Sequence, residues 1–447
     1  MAPARIEEPP VSWPLETENP PSKFKGTPRN IGPIDAVKFD DNLQPRKYDI
    51  FGTHPESKIL FLDVNILDST GREPYHGDVL IEGERITAVG EVPNVESLRD
   101  DPKVRVFSGR GRTLLAGLGD AHTHCTWNGG DLDRLGDLGI EEHTLLTMRS
   151  AQCFLDSGYT MCFGAASAKK RLDVVIRDAI NAGDIPGPRY LANGQEIART
   201  GGELVGGITA FADGPEEMRQ VIREHVEVGV DSIKLSMSGE EVSGFESGDD
   251  EGMDMLEKSK TKHVVAPAIN WLIGTLYEAE AFGYPNSKAE QVGYKRELEA
   301  AIAGLREMHR RGIVVLPGGD YGFAWTPHGT YARDLQHFVE LLDFTPHEAI
   351  IAATRGVAAL MMQSHELGRI QPGYYADCIL VDGNPLDDIR ILQDHSKLHI
   401  ICINGRVHKA GRKEYIPPPV AGQDGNRHVI VPDMDLPEVK RDMQKQY

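Results

Sequence analysis

Three short stretches of this chain place metal-binding types of side chain directly after apolar runs. His122 and His124 end Ala116-Gly117-Leu118-Gly119-Asp120-Ala121-His122-Thr123-His124, Lys234 follows Val230-Asp231-Ser232-Ile233, and Asp320 follows Ile313-Val314-Val315-Leu316 across Pro317-Gly318-Gly319. Residues i and i+2 of a strand point to the same side, so both imidazoles can reach one ion above the strand's end. A carboxylate at Asp320 could complete that site and take the proton of an attacking water, because a bound metal lowers the pKa of water towards about 7. The two glycines before it let backbone and ligand approach closely.

Each of these groups also has a plainer reading. A histidine pair can lie in a surface loop, a lysine at a strand end is commonly solvated, and an aspartate after glycines can be a turn residue or a helix N-cap. Lys234 differs if it faces a metal-bearing mouth, where burial and cationic neighbours favour its neutral form. A neutral amine can add carbon dioxide, and the resulting carbamate bridges two ions as a carboxylate would. His328, in Trp325-Thr326-Pro327-His328-Gly329 after Asp320, is either a substrate contact or improvised ligand, or an exposed loop histidine.

The elements that must position these groups alternate in type. Between residues 113 and 366, candidate strands near 113–121, 159–164, 188–193, 230–236, 263–268 and 312–318 are separated by helical patterns at 140–157, 169–182, 215–228, 249–260 and 288–311. Further helices at 334–342 and 346–362 follow the last strand. This is the signature of parallel strands with crossover helices, and chemistry in such barrels sits at the strands' C-terminal ends. Six units are legible where a closed barrel has eight.

Either side of this region, residues 58–112 and 367–412 show the alternation of short antiparallel strands broken by Gly and charged turns. Neither flank has enough strands for a stable sheet, so the two are expected to form one composite β-sandwich domain. Residues 1–57 are proline-rich and read as an extended arm, and 413–447 read as an irregular tail.

Composition narrows the partners. The formal charge of −20, from 48 basic and 68 acidic residues, argues against nucleic acid or an anionic membrane and leaves a small-molecule substrate. Homo-oligomerisation stays open. The five cysteines lack CxxC spacing, no apolar stretch approaches the length of a membrane span, and the N-terminus carries no secretory signature. A cytoplasmic protein is expected.

The ordered set of residues resembles the amidohydrolase superfamily, in its imidazolonepropionase-like and Xaa-Pro-dipeptidase-like branch. The resemblance spans about Lys58 to Lys409 and includes, besides the motifs above, Thr345-Pro346-His347-Glu348-Ala349-Ile350-Ile351-Ala352-Ala353-Thr354 and Leu367-Gly368-Arg369-Ile370-Gln371-Pro372-Gly373. It implies a TIM-like (β/α)8 barrel, here shortened to about six units, and hydrolysis of amide, dipeptide or cyclic-amide C–N bonds by metal-activated water. It also implies His122, His124, Lys234 (carbamylated) and Asp320 as ligands of divalent metal, zinc first, with Asp320 catalytic.

In that family the fifth and sixth strands each supply a histidine. The interval between Lys234 and His263 holds one crossover, whereas three would need on the order of 80 to 90 residues at about 30 per unit. Strands five and six, with their two histidines, are therefore missing, across a junction near Gly244-Phe245. One ion or fewer per chain and an inactive or weakened enzyme follow. The alternative is a non-catalytic binding or assembly protein built on the same frame.

Overall fold

The computed structural model describes residues 57–127, 132–201, 206–236, 250–259 and 263–411. The arm (apart from Ser57) and the tail lie outside the described residues. The two flanks meet in one sheet of eight strands. Lys58–Leu67 pairs antiparallel with Tyr75–Glu82, which pairs with Arg85–Gly90. Its other edge is shared by two parallel partners, Val104–Ser108 along its first half and Thr113–Ala116 along its second. The register shifts between Phe61 and Val64, around Asp63 with φ 53°, and a bulge of this kind bends a strand. Thr113–Ala116 then pairs antiparallel with Cys378–Val381, followed by Leu398–Ile403 and Arg406–Ala410. The composite unit expected from the flanks thus takes the form of a single hydrogen-bonded sheet. Its inward residues, among them Phe61, Ile66, Val79, Leu114, Leu380 and Ile400, are buried together.

The sequence run 113–121 is divided at Gly117. Thr113–Ala116 belongs to the flank sheet and Leu118–Thr123 opens the barrel. A side chain at Gly117 would collide with Thr160, so the chain can pass from one sheet to the other there only as glycine. Leu118–Thr123, Tyr159–Gly164 and Arg189–Leu191 form a parallel sheet in that order. The array continues past the third strand, where Asp231 donates its N–H to Ala192 O and Ile197 bridges Leu235 in parallel. On the other side Thr123 bridges Tyr321, and Val265 bridges Val315. Six parallel segments therefore stand in the spatial order 263–268, 312–321, 118–123, 159–164, 189–198, 230–236.

The two ends of that array do not meet among the described residues, which corrects the closed eight-stranded barrel implied by family resemblance. Asp250–Lys258 is the one described helix between Lys234 and His263, enough for a single crossover. The exposed ends show it: Leu118, Gly119, Asp120 and Ala121 are all buried, whereas Ile233 and Lys234 are half-buried and Leu235 is 41% exposed. His263 is exposed and Val264, Val265 and Ala266 are half-buried.

Crossover helices lie close to their expected places, at Ile140–Asp156, Leu172–Ala182 and Pro215–Val228. The pattern at 288–311 is split by Gly293, at φ 107°, into Asn286–Val292 and Tyr294–Arg310. Ile269–Tyr277 is an additional helix, almost wholly apolar, directly after the 263–268 segment. The helix at Pro346–Ile351 starts with a capping box, Thr345 Oγ1 accepting from Glu348 N at 3.2 Å and Glu348 Oε2 accepting from Thr345 N at 2.8 Å. Its continuation puts Val357 against Gly119 of the first barrel strand. Barrel and flank sheet are joined by a buried ion pair in which Arg189 Nε donates to Asp377 Oδ2 at 2.9 Å. No helix among the described residues is long and apolar enough to cross a membrane.

Candidate metal centre

His122 lies at the end of the first barrel strand and His124 just beyond it, two residues apart and on one side. Asp320 reaches the same point from the segment beside it, whose Pro317 O accepts from Ala121 N at 2.9 Å. The approach depends on glycine: a Cβ at Gly318 would stand 2.8 Å from both the Cβ and the backbone N of His122. Asp320 itself has φ 58°, a left-handed conformation that costs a non-glycine residue energy and is retained chiefly where surroundings dictate it.

The three ligand atoms form a compact group, all within 4.8 Å of one another. His122 Nε2 and His124 Nε2 are 3.1 Å apart, and Asp320 Oδ1 is 3.6 Å from the first and 3.0 Å from the second. Tetrahedral bonds of about 2.0–2.2 Å place ligand atoms roughly 3.3–3.6 Å apart, so the group is of a size to hold one ion. Nitrogen and carboxylate donors suit zinc and other borderline divalent metals. Asp320 Oδ1 is buried and has no hydrogen-bond donor among the described residues.

Protonation states agree with that use. Burial, reinforced by the charge of Lys234, pushes His122 down to about 3, which keeps its imidazole neutral as a ligand must be. Burial opposes ionisation of Asp320, but the closeness of His124 and the positive charge of Lys234 hold it below the ordinary carboxylate range. Beneath them Asp120 Oδ1 accepts the His122 backbone N–H at 2.7 Å, and burial raises Asp120 to about 7. His124 Nδ1 donates to Ala166 O at 3.4 Å, which leaves Nε2 for the site.

Lys234 stands across the mouth on the 230–236 segment, near enough for its charge to act on His122, Asp320 and Glu196. It is not one of the compact three. His328 has both ring nitrogens engaged, Nε2 donating to Trp127 O at 2.7 Å and Nδ1 with Tyr331 Oη at 3.0 Å. Burial pushes it down to about 4. Its ring is therefore a brace for Trp127 and has no free nitrogen to offer a substrate or ion. His263 is exposed, with Nδ1 on Ser259 O, and His225 spans Val221 O and Gln195 O. Neither joins the centre.

Two residues of this site were not singled out from sequence. Trp127 stacks flat on His124, and Glu196 is a buried residue that the Ile197–Leu235 bridge sets beside Lys234. Trp127 carries a local signal, three residues after the His-x-His pair. Nothing in the sequence marks Glu196, whose importance comes from its pairing beside Lys234.

Residues 245–408 match a model of the amidohydrolase family. That match covers 164 of the 447 residues, and over it the chain is similar to amidohydrolases. The matched span holds Asp320 and begins where the sequence reading sets the junction, whereas His122, His124 and Lys234 precede it. Ochratoxinase of Aspergillus niger is 24% identical over 449 positions, covering 82% of this chain and 90% of the relative. Of solved structures, a Xaa-Pro dipeptidase with bound methionine superposes with a TM-score of 0.67 at 21% identity, over 79% of this chain and 100% of its own. The A. niger ochratoxinase structure gives a TM-score of 0.66 at 20% identity, over 79% and 96%.

The ochratoxinase alignment is longer than the stretch of this chain that it covers. Since 82% of 447 residues is about 367, an alignment 449 positions long leaves roughly 80 positions opposite gaps in this chain. Two βα units at about 30 residues each fit within that number.

Proposed function

We propose that this chain cleaves an amide, dipeptide or cyclic-amide C–N bond of a small molecule at a single divalent ion, zinc first, held by His122, His124 and Asp320. The observation that carries this reading is the convergence of those three ligand atoms, from two neighbouring barrel segments, at separations one ion can span. A divalent ion held there would acidify a bound water and polarise a carbonyl. The protein's own groups do the rest. His124, held by Ala166 O and by Trp127, and His122, kept neutral by burial, present fixed lone pairs. Asp320, held ionised, is placed to accept a proton from the attacking water, which is the general-base part of the reaction.

A carbamylated Lys234 bridging a second ion would require the two histidines that strands five and six contribute in the family. With those missing, Lys234 serves this centre as a neighbouring positive charge, and turnover is expected to be absent or severely reduced. The test is an assay on N-acyl amino acids and Xaa-Pro dipeptides with added zinc, run on this chain and on a version carrying two further βα units. The expected result is weak, Asp320-dependent turnover that the longer version raises by orders of magnitude. Rapid turnover by the present chain, abolished in Asp320→Asn, would overturn the weakened-centre reading, and an inert longer version would overturn the hydrolase reading.

The open side of the barrel favours a second reading, in which this form of the chain is a non-catalytic binding or assembly protein. Half-buried Ile233, Lys234, Val264 and Val265 and exposed Leu235 line it. Sequencing the transcript across 244–245 separates the two. An in-frame segment with two histidines restores the enzyme, and clean continuity supports the non-catalytic form.

A further inference from the structure

A cavity of about 420 Å³ lies among three helices of the outer layer, Ile269–Tyr277, Tyr294–Arg310 and Arg333–Leu341. None of the residues lining it belongs to the metal centre. Its volume falls in the range of roughly 300–1,000 Å³ usual for small-molecule sites. Helical spacing builds the lining. Leu298 and Ile302 are four residues apart and share one face of their helix, Lys295 stands one turn before Leu298, and His337 and Glu340 are three apart on theirs. With Ile273 these give a cavity that is apolar on one side and polar on the other.

His337 is the polar group set deepest in it, 8% exposed. Its Nε2 lies 3.2 Å from Asn270 Oδ1, and Asn270 Nδ2 donates to Gly319 O at 3.5 Å, which turns Oδ1 towards the ring. Nε2 therefore carries the proton and Nδ1 the lone pair. Nδ1 has no partner among the described residues and, unlike the sealed Nδ1 of His143, is not closed off. Burial and the charge of Arg333 lower His337 to about 4, so at neutral pH the ring is uncharged and Nδ1 is an acceptor. A nitrogen this confined is costly to leave unpaired, and the cavity is the side from which a donor can reach it. Glu340, held by Gln336 Nε2 at 3.0 Å, brings negative charge to the lining, and Lys295, exposed at the rim, makes no ion pair among the described residues.

We propose that this cavity binds a free amino acid with an aliphatic side chain, the side chain lying against Ile273, Leu298 and Ile302, the ammonium donating to His337 Nδ1 with Glu340 as its counter-charge, and the carboxylate meeting Lys295. Other small molecules match only part of this lining. A fatty acid has no donor for Nδ1, an alkylamine leaves Lys295 unanswered, and a sugar leaves the apolar side bare. The site is separate from the metal centre, so it stands or falls without the hydrolase reading.

Titration calorimetry of the full chain in chelator tests this, with L-leucine, isoamylamine and isocaproate as probes. One leucine per chain is expected to bind, and isoamylamine, without the carboxylate, and isocaproate, without the N–H donor, should each bind about tenfold more weakly or worse. His337→Phe keeps a ring and loses the acceptor, whereas Lys295→Met keeps the apolar stem and loses the charge. Each should weaken leucine by about tenfold or more, and His122→Asn should leave it unchanged. No saturable heat with leucine, an analogue that binds as tightly as leucine, or undiminished affinity in either His337→Phe or Lys295→Met would overturn the proposal. Leucine binding lost in His122→Asn would place the amino acid at the metal centre and overturn it as well. Lys295 is exposed, so its variant reads the site without disturbing the core, and circular dichroism checks that each variant folds.

Discussion

The indole of Trp127 lies flat on the imidazole of His124, with ring centroids 3.4 Å apart and planes 2° apart. His328 braces this stack by donating to Trp127 O, and the Phe154 and Tyr331 rings pack behind His328. One face of the His122–His124–Asp320 group is thus fixed by aromatic packing. Trp127→Ala should cost about 3–5 kcal/mol of stability, the usual range for truncating a buried aromatic, and should loosen cobalt. Trp127→Phe, which can still stack, should keep most of both. Thermal melts with cobalt titration check this, and an unchanged affinity in Trp127→Ala would show that His124 needs no such support.

Gly318 offers a sharper geometric test. A methyl group there meets the His122 backbone at 2.8 Å, and backbone cannot yield as the end of a flexible side chain can. Gly318→Ala is expected to destabilise by about 1–3 kcal/mol and to separate Asp320 from the histidines. Metal content well below that of the unaltered chain is the expected reading, and equal content would show that the segments can part without harming the site.

Acid sensitivity should follow from histidines buried in neutral form. Burial holds His328 and His337 at about 4, below the ordinary value of about 6.5. The unfolded chain therefore binds their protons more readily, so this contribution is present above pH 6.5 and is lost as pH falls from 6.5 towards 4. His337 donates to Asn270 Oδ1 at 3.2 Å, and its share is up to roughly 3 kcal/mol. Melts with chelator across this window should show a shallower acid slope in His337→Gln. An identical slope would place the acid response elsewhere.

The open barrel predicts poor solution behaviour. Parallel segments that meet no further strand among the described residues, with half-buried Val and Ile side chains at 230–236 and 263–268, are aggregation hazards. This chain should bind hydrophobic dye and melt broadly, and a version with two units restored should do neither. A sharp transition above about 60 °C, beyond the ordinary mesophilic range, would show that six segments suffice.

Much of the site was legible because it rests on strand periodicity. His-x-His after an apolar run and Asp320 after Gly318-Gly319 declare their own direction, and the short interval from Lys234 to His263 carries the expectation of fewer units by length alone. What escaped depends on contacts between distant segments. Glu196 acquires its setting only from the pairing of Ile197 with Leu235, and His328 looks like a free loop histidine until Trp127 and Tyr331 take both its nitrogens. The break at Gly117 was hidden because 113–121 is uniformly apolar, although it serves two different sheets.

The central claim is that this chain retains one metal centre and has lost the second. Elemental analysis after exhaustive dialysis, on the unaltered protein and on Asp320→Asn, tests it most directly. The account predicts close to one divalent ion per chain, or less, falling towards none in the variant. Two tightly held ions per chain would contradict it.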